Sequence, residues 1–458
     1  MTPTMSSTSN KRFLLLDERN GENVHNVALK LGTPTKHHAN PLMIEDKPWE
    51  RRYDNFYGNV VFDEEEALYK CWYNPLVVAH SAQGMSLSRR KKSPYEGHES
   101  QEMGICYASS KDGLRWEKPS LGLIEFEKSF DNNLILRGPH GAGIFKDSRE
   151  EEKSHLYKSI WQGLNTSFSQ DGFAWSLPRP ISRNKIAGDT HNNALWAPTL
   201  GKYVGFTRTW GETDRKLIGP PTKTNHAWGR QVARIESIDF CDWSKSEVVI
   251  DCANWEHQPY AMPVFFHANT YIGLLAIHDQ ISDRVWTELA WSPDTKIWHR
   301  INEGVPLINA CPDPLGYDFG CIYACASPIF LKEEIRVYYG GSDWLHTGWR
   351  NGCLALATLR PDGFAGYEQI NGNELGRIST KPLNYGGEAI KVSADVSKNG
   401  WIKACLRDNS NSVISSTQIS KTSTDSNLFD RQVIGEDTVR IEFELNAAKL
   451  YSFSLSSE

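Results

Sequence analysis

Short apolar runs alternate with acidic or Asp-Gly turns along most of this chain, and no stretch of any length keeps a helical period. The first such unit reads YGNVVFDEEEALYKCWYNP. It predicts an apolar strand at 60–62, an acidic turn at 63–66 and a second strand running through Trp72. GICYASSKDGLRWEKP then supplies a third strand and the hairpin into a fourth. The pattern returns as HGAGIFKDSREEEKSHLYKSIWQG, NNALWAPTLGKYVGFTRTW, AMPVFFHANTYIGLLAIH and CASPIFLKEEIRVYYGGSD. Each copy has an apolar strand, a polar turn, then a strand ending in aromatics.

A phrase close to Ser-x-Asp-Gly-x-x-Trp follows each strand pair. Its five copies carry Asp112 and Trp116, Asp171 and Trp175, Asp239 and Trp243, Asp294 and Trp298, and a degenerate Asp362 with Tyr367. The Asp-Gly is hairpin chemistry, so these aspartates are expected to be turn residues, with the tryptophans packing between sheets. The intervals, about 55–70 residues, suit a four-stranded antiparallel sheet with its loops. The prediction is an all-β protein: a five-bladed β-propeller over residues 46–375, then a C-terminal β-sandwich over 380–458. The alternating stretches AIKVSADV, WIKACLRD, TVRIEFEL and AKLYSFSLS supply the sandwich. Residues 1–45 are less regular and are expected to pack on the propeller as an N-terminal extension.

The 458 residues include 16 Trp and 17 Tyr, a set that suits both inter-blade packing and sugar stacking. Net charge is −6 without long runs of one sign, so neither a nucleic-acid nor a membrane partner is expected. The nine cysteines are scattered, with no CxxC pair or Cys/His ligand spacing, so no disulfide framework, metal or cofactor is expected. The apolar run at 13–16 is too short for a signal peptide or a span, and the expected location is cytoplasmic unless a leader has been trimmed.

In a propeller the innermost strands start at one end of a central funnel, so residues far apart in sequence meet there. Reading upstream of each innermost strand gives Arg52, Asp54 and Asn55 for blade one and His140 for blade two. Blade three gives Asp189, His191 and Asn192, blade four Glu256, His257 and Gln258, and blade five Asp318. Arg230, Trp344, His346 and Arg350 are further candidates for the rim and substrate wall. Cleavage of a glycosidic bond needs two carboxyl groups, one donating a proton and the other attacking or activating water. Asp54, Asp189, Asp318 and Glu256 are the catalytic candidates, and the remaining residues are candidates for binding an oligosaccharide.

Tyr53-Asp54-Asn55 before a strand ending KCWYNP, followed by YASSKDGLRWEKP, resembles the five-bladed glycosidases of glycoside hydrolase family 32 and, more loosely, families 43, 62 and 68. GPHGAGIFKD, GDTHNNALW and YYGGSDWLHTGWR are similar to landmarks of a divergent bacterial group related to family 32. The resemblance implies that Asp54 is the blade-one nucleophile or base and that Asp189 supports the transition state. The chain departs from the family's pattern in blade four, where WEHQPY replaces a Glu-Cys-Pro element, so that Gln258 competes with Glu256 for the acid's place. Phe56 and Tyr57 replace the Pro and Gly after Asp54-Asn55, and no Arg precedes Asp189. The expectation is an exo-acting glycosidase on a furanoside or a modified, including anionic, oligosaccharide. Two alternatives stay open: a polysaccharide lyase using His, Tyr and Arg, and a carbohydrate-binding propeller without catalysis.

Overall fold

The computed structural model describes residues 10–181, 188–210, 229–252, 254–431 and 437–457. Five antiparallel meanders follow one another along the chain. Blade I consists of Asn59–Asp63, Leu68–Tyr73, Glu102–Ser110 and Leu134–Arg137. Blade II consists of Gly143–Lys146, Tyr157–Trp161, Asn165–Ser169 and Arg179–Pro180. Blade III runs through Asn193–Ala197, Lys202–Thr209, Gln231–Ser237 and Glu247–Ile250. In blade IV the innermost strand is broken into His257–Ala261 and Val264–His267, both paired to Thr270–Asp279, before Arg284–Ser292 and His299–Ile301. Blade V has Cys321–Ala324 and Ile329–Phe330 on Ile335–Ser342, then Gly352–Leu359.

The outer edge of blade V comes from the start of the chain. Thr35–Lys36 and Met43–Ile44 both pair with Gly352–Leu359, so the N-terminal stretch is a structural strand of the last blade and not merely packed on it. This closes the ring: chain start and fifth meander share one sheet, and the N-terminal strands cover the edge of Gly352–Leu359. A cavity of about 300 Å³ on the axis is lined by Asn59, Ile144, Asn193, Val264 and Ala326, one residue from each of the five blades.

Successive blades share apolar cores, and buried asparagines tie their innermost strands together. Asn59 donates to the Ala142 carbonyl and accepts from Ile144 N–H, joining blades I and II. Asn193 does the same to Met262 and Val264, joining III and IV. Such side chains satisfy backbone groups that inner strands without a lateral partner would otherwise leave unpaired. Trp72 is fully buried between blades I and II, its indole N–H donating to Gly172 O at 2.9 Å. Gly172 has φ +81°, and a Cβ there would lie 2.6 Å from the Trp72 ring, so the turn needs glycine twice over.

The repeat phrase behaves as expected in four copies. Asp112, Asp171, Asp239 and Asp294 each accept two backbone N–H bonds from the residues two and three positions ahead. The fifth departs. Asp362 is buried and binds Arg12, His267 and Ser452, fastening the propeller to the C-terminal layer.

That layer is a single ten-stranded sheet built on two 19-residue strands, Ala389–Arg407 and Thr438–Ser456. Bulges at 393/394 and 396/401 bend the first, and both halves share one core containing Ile390, Ile402, Phe443 and Leu455. Asn10–Leu14, Gly21–His25 and Val27–Leu31 belong to this sheet too, as does Ala365–Gln369, which follows the fifth phrase.

One buried carboxyl marks the ring closure. Glu45 accepts hydrogen bonds from Tyr53 N–H and Gly352 N–H, linking the N-terminal stretch to blades I and V. Burial, only partly countered by these two donors, pushes its carboxyl up to about 8. The folded protein therefore holds a proton that the unfolded chain releases near the ordinary carboxylate value, and stability falls as pH rises from there to about 8. Glu45→Gln should lose this dependence. Its melting temperature relative to wild type is expected to climb steadily between pH 5 and pH 8 and then level off.

Candidate functional site

In a meander the first strand starts at the funnel mouth, the second ends there and the third starts there again. Blade III thus delivers Asp189 and, from its second and third strands, Arg208 and Arg230. Blade V delivers Tyr323 from its first strand and His346 and Arg350 from the loop between its second and third. Blade IV delivers Gln258, Tyr260, His278 and Asp283, and the segment before blade I delivers Arg52, Asp54, Asn55 and Tyr57.

Of the carboxylates delivered there among the described residues, Asp54 and Asp189 are the two paired with arginines. Asp54 accepts from Arg350 Nη2 at 2.7 Å and lies 3.5 Å from Arg52, whose guanidinium stacks on Tyr95 at 4.2 Å. Burial raises the Asp54 pKa, but Arg350 and Arg52, with His140, outweigh burial and hold it below the usual carboxylate range. Asp189 lies 2.8 Å from Arg208 Nη2 and 3.2 Å from His140 Nε2. Burial is again outweighed, here by His140 and Arg208, and Asp189 is held well below the usual carboxylate range. The charge of Asp189 acts on Asp54, and His140 acts on both, so the two acids occupy one electrostatic unit. Both are ionised at neutral pH.

Asn55 organises the floor between them. Its Oδ1 accepts from Arg350 at 3.1 Å, which fixes the amide's orientation because a guanidinium can only donate. Its Nδ2 then donates to Tyr57 Oη at 2.6 Å and Tyr260 Oη at 2.9 Å. Both phenol oxygens are acceptors in this arrangement, which leaves both phenol hydrogens to donate elsewhere. Burial raises the Tyr57 pKa far above the ordinary phenol value, so it keeps its proton. Tyr57 and Phe56 have φ values of +46° and +63°, a strained backbone that sets Tyr57 between the His140 and His191 rings.

A second polar chain runs along blades IV and V. Tyr323 Oη is 2.9 Å from His346 Nδ1, the His346 ring meets His278 at 4.4 Å, and His278 Nε2 is 3.1 Å from Asp283. Burial, followed by the neighbouring His278 and arginine charges, keeps His346 neutral. Burial likewise lowers His278 to about 4, against the pull of Asp283.

The structure gathers Arg52, Asp54, Asn55, His140, Asp189, Arg230, Gln258, His346 and Arg350 of the predicted set at this mouth. Others lie elsewhere. Asp318 is wholly buried, accepting from Lys36 Nζ at 2.6 Å, Cys311 N–H at 2.7 Å and Tyr339 Oη at 2.9 Å. It anchors the N-terminal strand to blade V and has no access to a substrate. Asp318→Asn should cost on the order of 3 kcal/mol of stability, as expected for a broken buried pair, and leave turnover intact; denaturant melts beside kinetics check both. Trp344 is buried against Phe319, and His257 is exposed against Trp286, so neither lines the mouth. Glu256 contributes its backbone carbonyl to Gln280 N–H, and no funnel group binds its side chain among the described residues. His191 stands behind Tyr57, bonded to Asn59 and lowered to about 3 by burial, and Asn192 is consumed by the Gly141, Gly188 and Thr190 carbonyls. Tyr57, Arg208, Tyr260, His278, Asp283 and Tyr323 were not predicted; for Arg208 and His278 the signal is the basic end of a second strand, as in FTRTW. Among the described residues no cluster of His, Cys, Asp and Glu is placed to hold a metal ion.

No protein-family model and no curated protein matches this sequence. The likeness to family 32 is thus carried by the quoted motifs alone. Solved structures of similar shape include a complex of BT0996 with RGII, at 15% identity and TM-score 0.49, covering 73% of this chain and 93% of that one. A glycosyl hydrolase from Bacteroides ovatus has 11% identity and TM-score 0.47, with 75% and 98% covered. An N-acetylgalactosamine deacetylase from F. plautii, in complex with blood group B trisaccharide, has 12% identity and TM-score 0.44, with 72% and 95% covered.

Proposed function

We propose that this protein is an exo-acting glycosidase whose site is the propeller mouth, cleaving a furanoside or a modified, anionic oligosaccharide. The observation that carries it is the Asp54–Asp189 unit: two ionised carboxylates from different blades, sharing His140 and flanked by guanidinium groups. Asp54 attacks the anomeric carbon or draws a proton from water, and Asp189 stabilises the positive charge that develops on the sugar ring. Neither can be the proton donor while ionised. That role goes to Tyr57, whose hydrogen is left free by Asn55 and whose ring meets His140, the histidine bound to Asp189.

The test is product analysis of wild-type enzyme on a panel of furanosides and of sulfated and uronic-acid oligosaccharides. Release of single reducing sugars from chain ends supports the reading, and an absence of cleavage across the panel opposes it. A lyase reading is favoured by the Tyr323–His346–His278 chain, which could take a proton from the carbon beside a uronate carboxyl group. An unsaturated product absorbing in the ultraviolet would establish the lyase instead.

A further inference from the structure

Among the described residues four arginines surround the mouth, and three of them have a carboxylate: Arg52 and Arg350 share Asp54, and Arg208 holds Asp189. Arg230 has none among the described residues. Its Nη1 donates to Gln258 Oε1 at 2.6 Å, a neutral acceptor, and its Nε has no hydrogen-bond partner there. The side chain is nevertheless buried, with only 3% of its surface exposed. Arg208, equally buried, leaves Nε and Nη1 without hydrogen-bond partners among the described residues. Both guanidinium groups lie against the same two rings, Tyr260 at 4.5 and 5.4 Å and Trp210 at 5.2 and 5.1 Å.

Burying a guanidinium without a counter-ion is costly, and placing two against one pair of rings adds mutual repulsion. The effect is large enough that burial, followed by the Arg208 charge, lowers Arg230 to about 10. Packing alone would be served better by an apolar side chain. A bound anion would relieve the repulsion and use the three unpartnered nitrogens, since arginine matches the oxygens of carboxylate and sulfate. Aromatic faces beside those guanidinium groups suit a sugar ring carrying the charge.

We infer that Arg208 and Arg230 form an oxyanion subsite that reads a carboxylate or sulfate group borne by the glycan. This rests on the glycosidase reading for the sugar, but the charge requirement is separable from catalysis because binding alone reports it. The subsite selects substrate: an anionic residue is drawn to the blade III wall, which places the adjoining glycosidic bond toward Asp54 and Tyr57.

The test pairs a uronic-acid oligosaccharide with its carboxyl-reduced, neutral counterpart, and adds a sulfated oligosaccharide and inorganic sulfate and phosphate. Binding is followed by calorimetry and by thermal shift on wild type and on Arg230→Gln. At least one anionic glycan should bind wild type about 100-fold tighter than a neutral counterpart, and Arg230→Gln should erase that ratio while leaving neutral binding unchanged. Without ligand the variant should melt at or above the wild-type temperature, because it removes a buried charge that has no carboxylate partner among the described residues. A purely structural arginine would instead lower it. Equal binding of charged and neutral glycans by wild type, a melting temperature unmoved by every anion, or a response to inorganic phosphate or sulfate with none to any anionic glycan would each overturn the assignment. Cleavage need not be observed, so a failed hydrolysis assay and a failed subsite give different results.

Discussion

Asp54→Asn is expected to lower turnover by at least about 1,000-fold while leaving sugar affinity within a few-fold of wild type, the behaviour of a removed nucleophile or base. The substitution keeps shape and hydrogen-bonding reach but removes the charge that Arg350 and Arg52 hold in place. An amide accepts from Arg350 in the same geometry, so the Asn55 clamp on Tyr57 and Tyr260 survives. What disappears is the electron pair that attacks the anomeric carbon or takes a proton from water. Single-turnover kinetics beside calorimetric affinity separates these effects. A protein that merely binds carbohydrate would show little change in either quantity. A lyase working through Tyr323 and His346 would lose far less than the glycosidase, since Asp54 touches neither group among the described residues. Unchanged turnover on a substrate that wild type cleaves would remove Asp54 from the mechanism.

Much of this arrangement was legible in the sequence, because blade periodicity is written in local chemistry. Serine, aspartate and a following apolar turn recur, and four of the five aspartates cap the backbone groups that the phrase implies. Asp54, Asn55, His140 and Asp189 follow from a single rule, that innermost strands start at the mouth. The rule's blind side explains the omissions. Second strands end at the same mouth and third strands begin there, which is how Arg208 and His278 enter the site without preceding any innermost strand.

Asp318 shows the opposite error. Its position before an innermost strand is as predicted, but Lys36 arrives from nearly three hundred residues upstream and claims it for ring closure. Asp362 is similar, a turn position taken over by Arg12 from the N-terminal strand. Both depend on where the chain start docks, and periodicity carries no information about that. Tyr57 was visible only as a departure, an aromatic where the glycosidases that the motif resembles have glycine. Its meaning needed the positive φ and the Asn55 hydrogen bond.

Replacing Arg350 should have the largest combined effect on stability and pH response. The side chain is almost entirely buried and spans blades V and I, donating to the Asp54 carboxylate, the Asp54 carbonyl at 3.2 Å, Asn55 Oδ1 and the Leu345 carbonyl. Arg350→Met fills similar volume without charge. It leaves Asp54 with the more distant Arg52 and with His140, and it frees the Asn55 amide to turn. Breaking such a pair costs on the order of 3–5 kcal/mol, and Asp54→Asn in the same chain should recover part of that cost, because no unpaired carboxylate remains. The sign of the pH effect follows from the depressed Asp54 pKa. In wild type the folded carboxyl ionises below its unfolded value, so its stabilising contribution is present above that value and fades only as pH falls through the folded one. Without Arg350, burial dominates and the folded pKa rises. The acid limb of kcat/KM should then move to higher pH. Equal acid limbs in the variant and wild type would mean that ionisation of Asp54 does not govern activity, and the ion pair across blades V and I would then be structural alone.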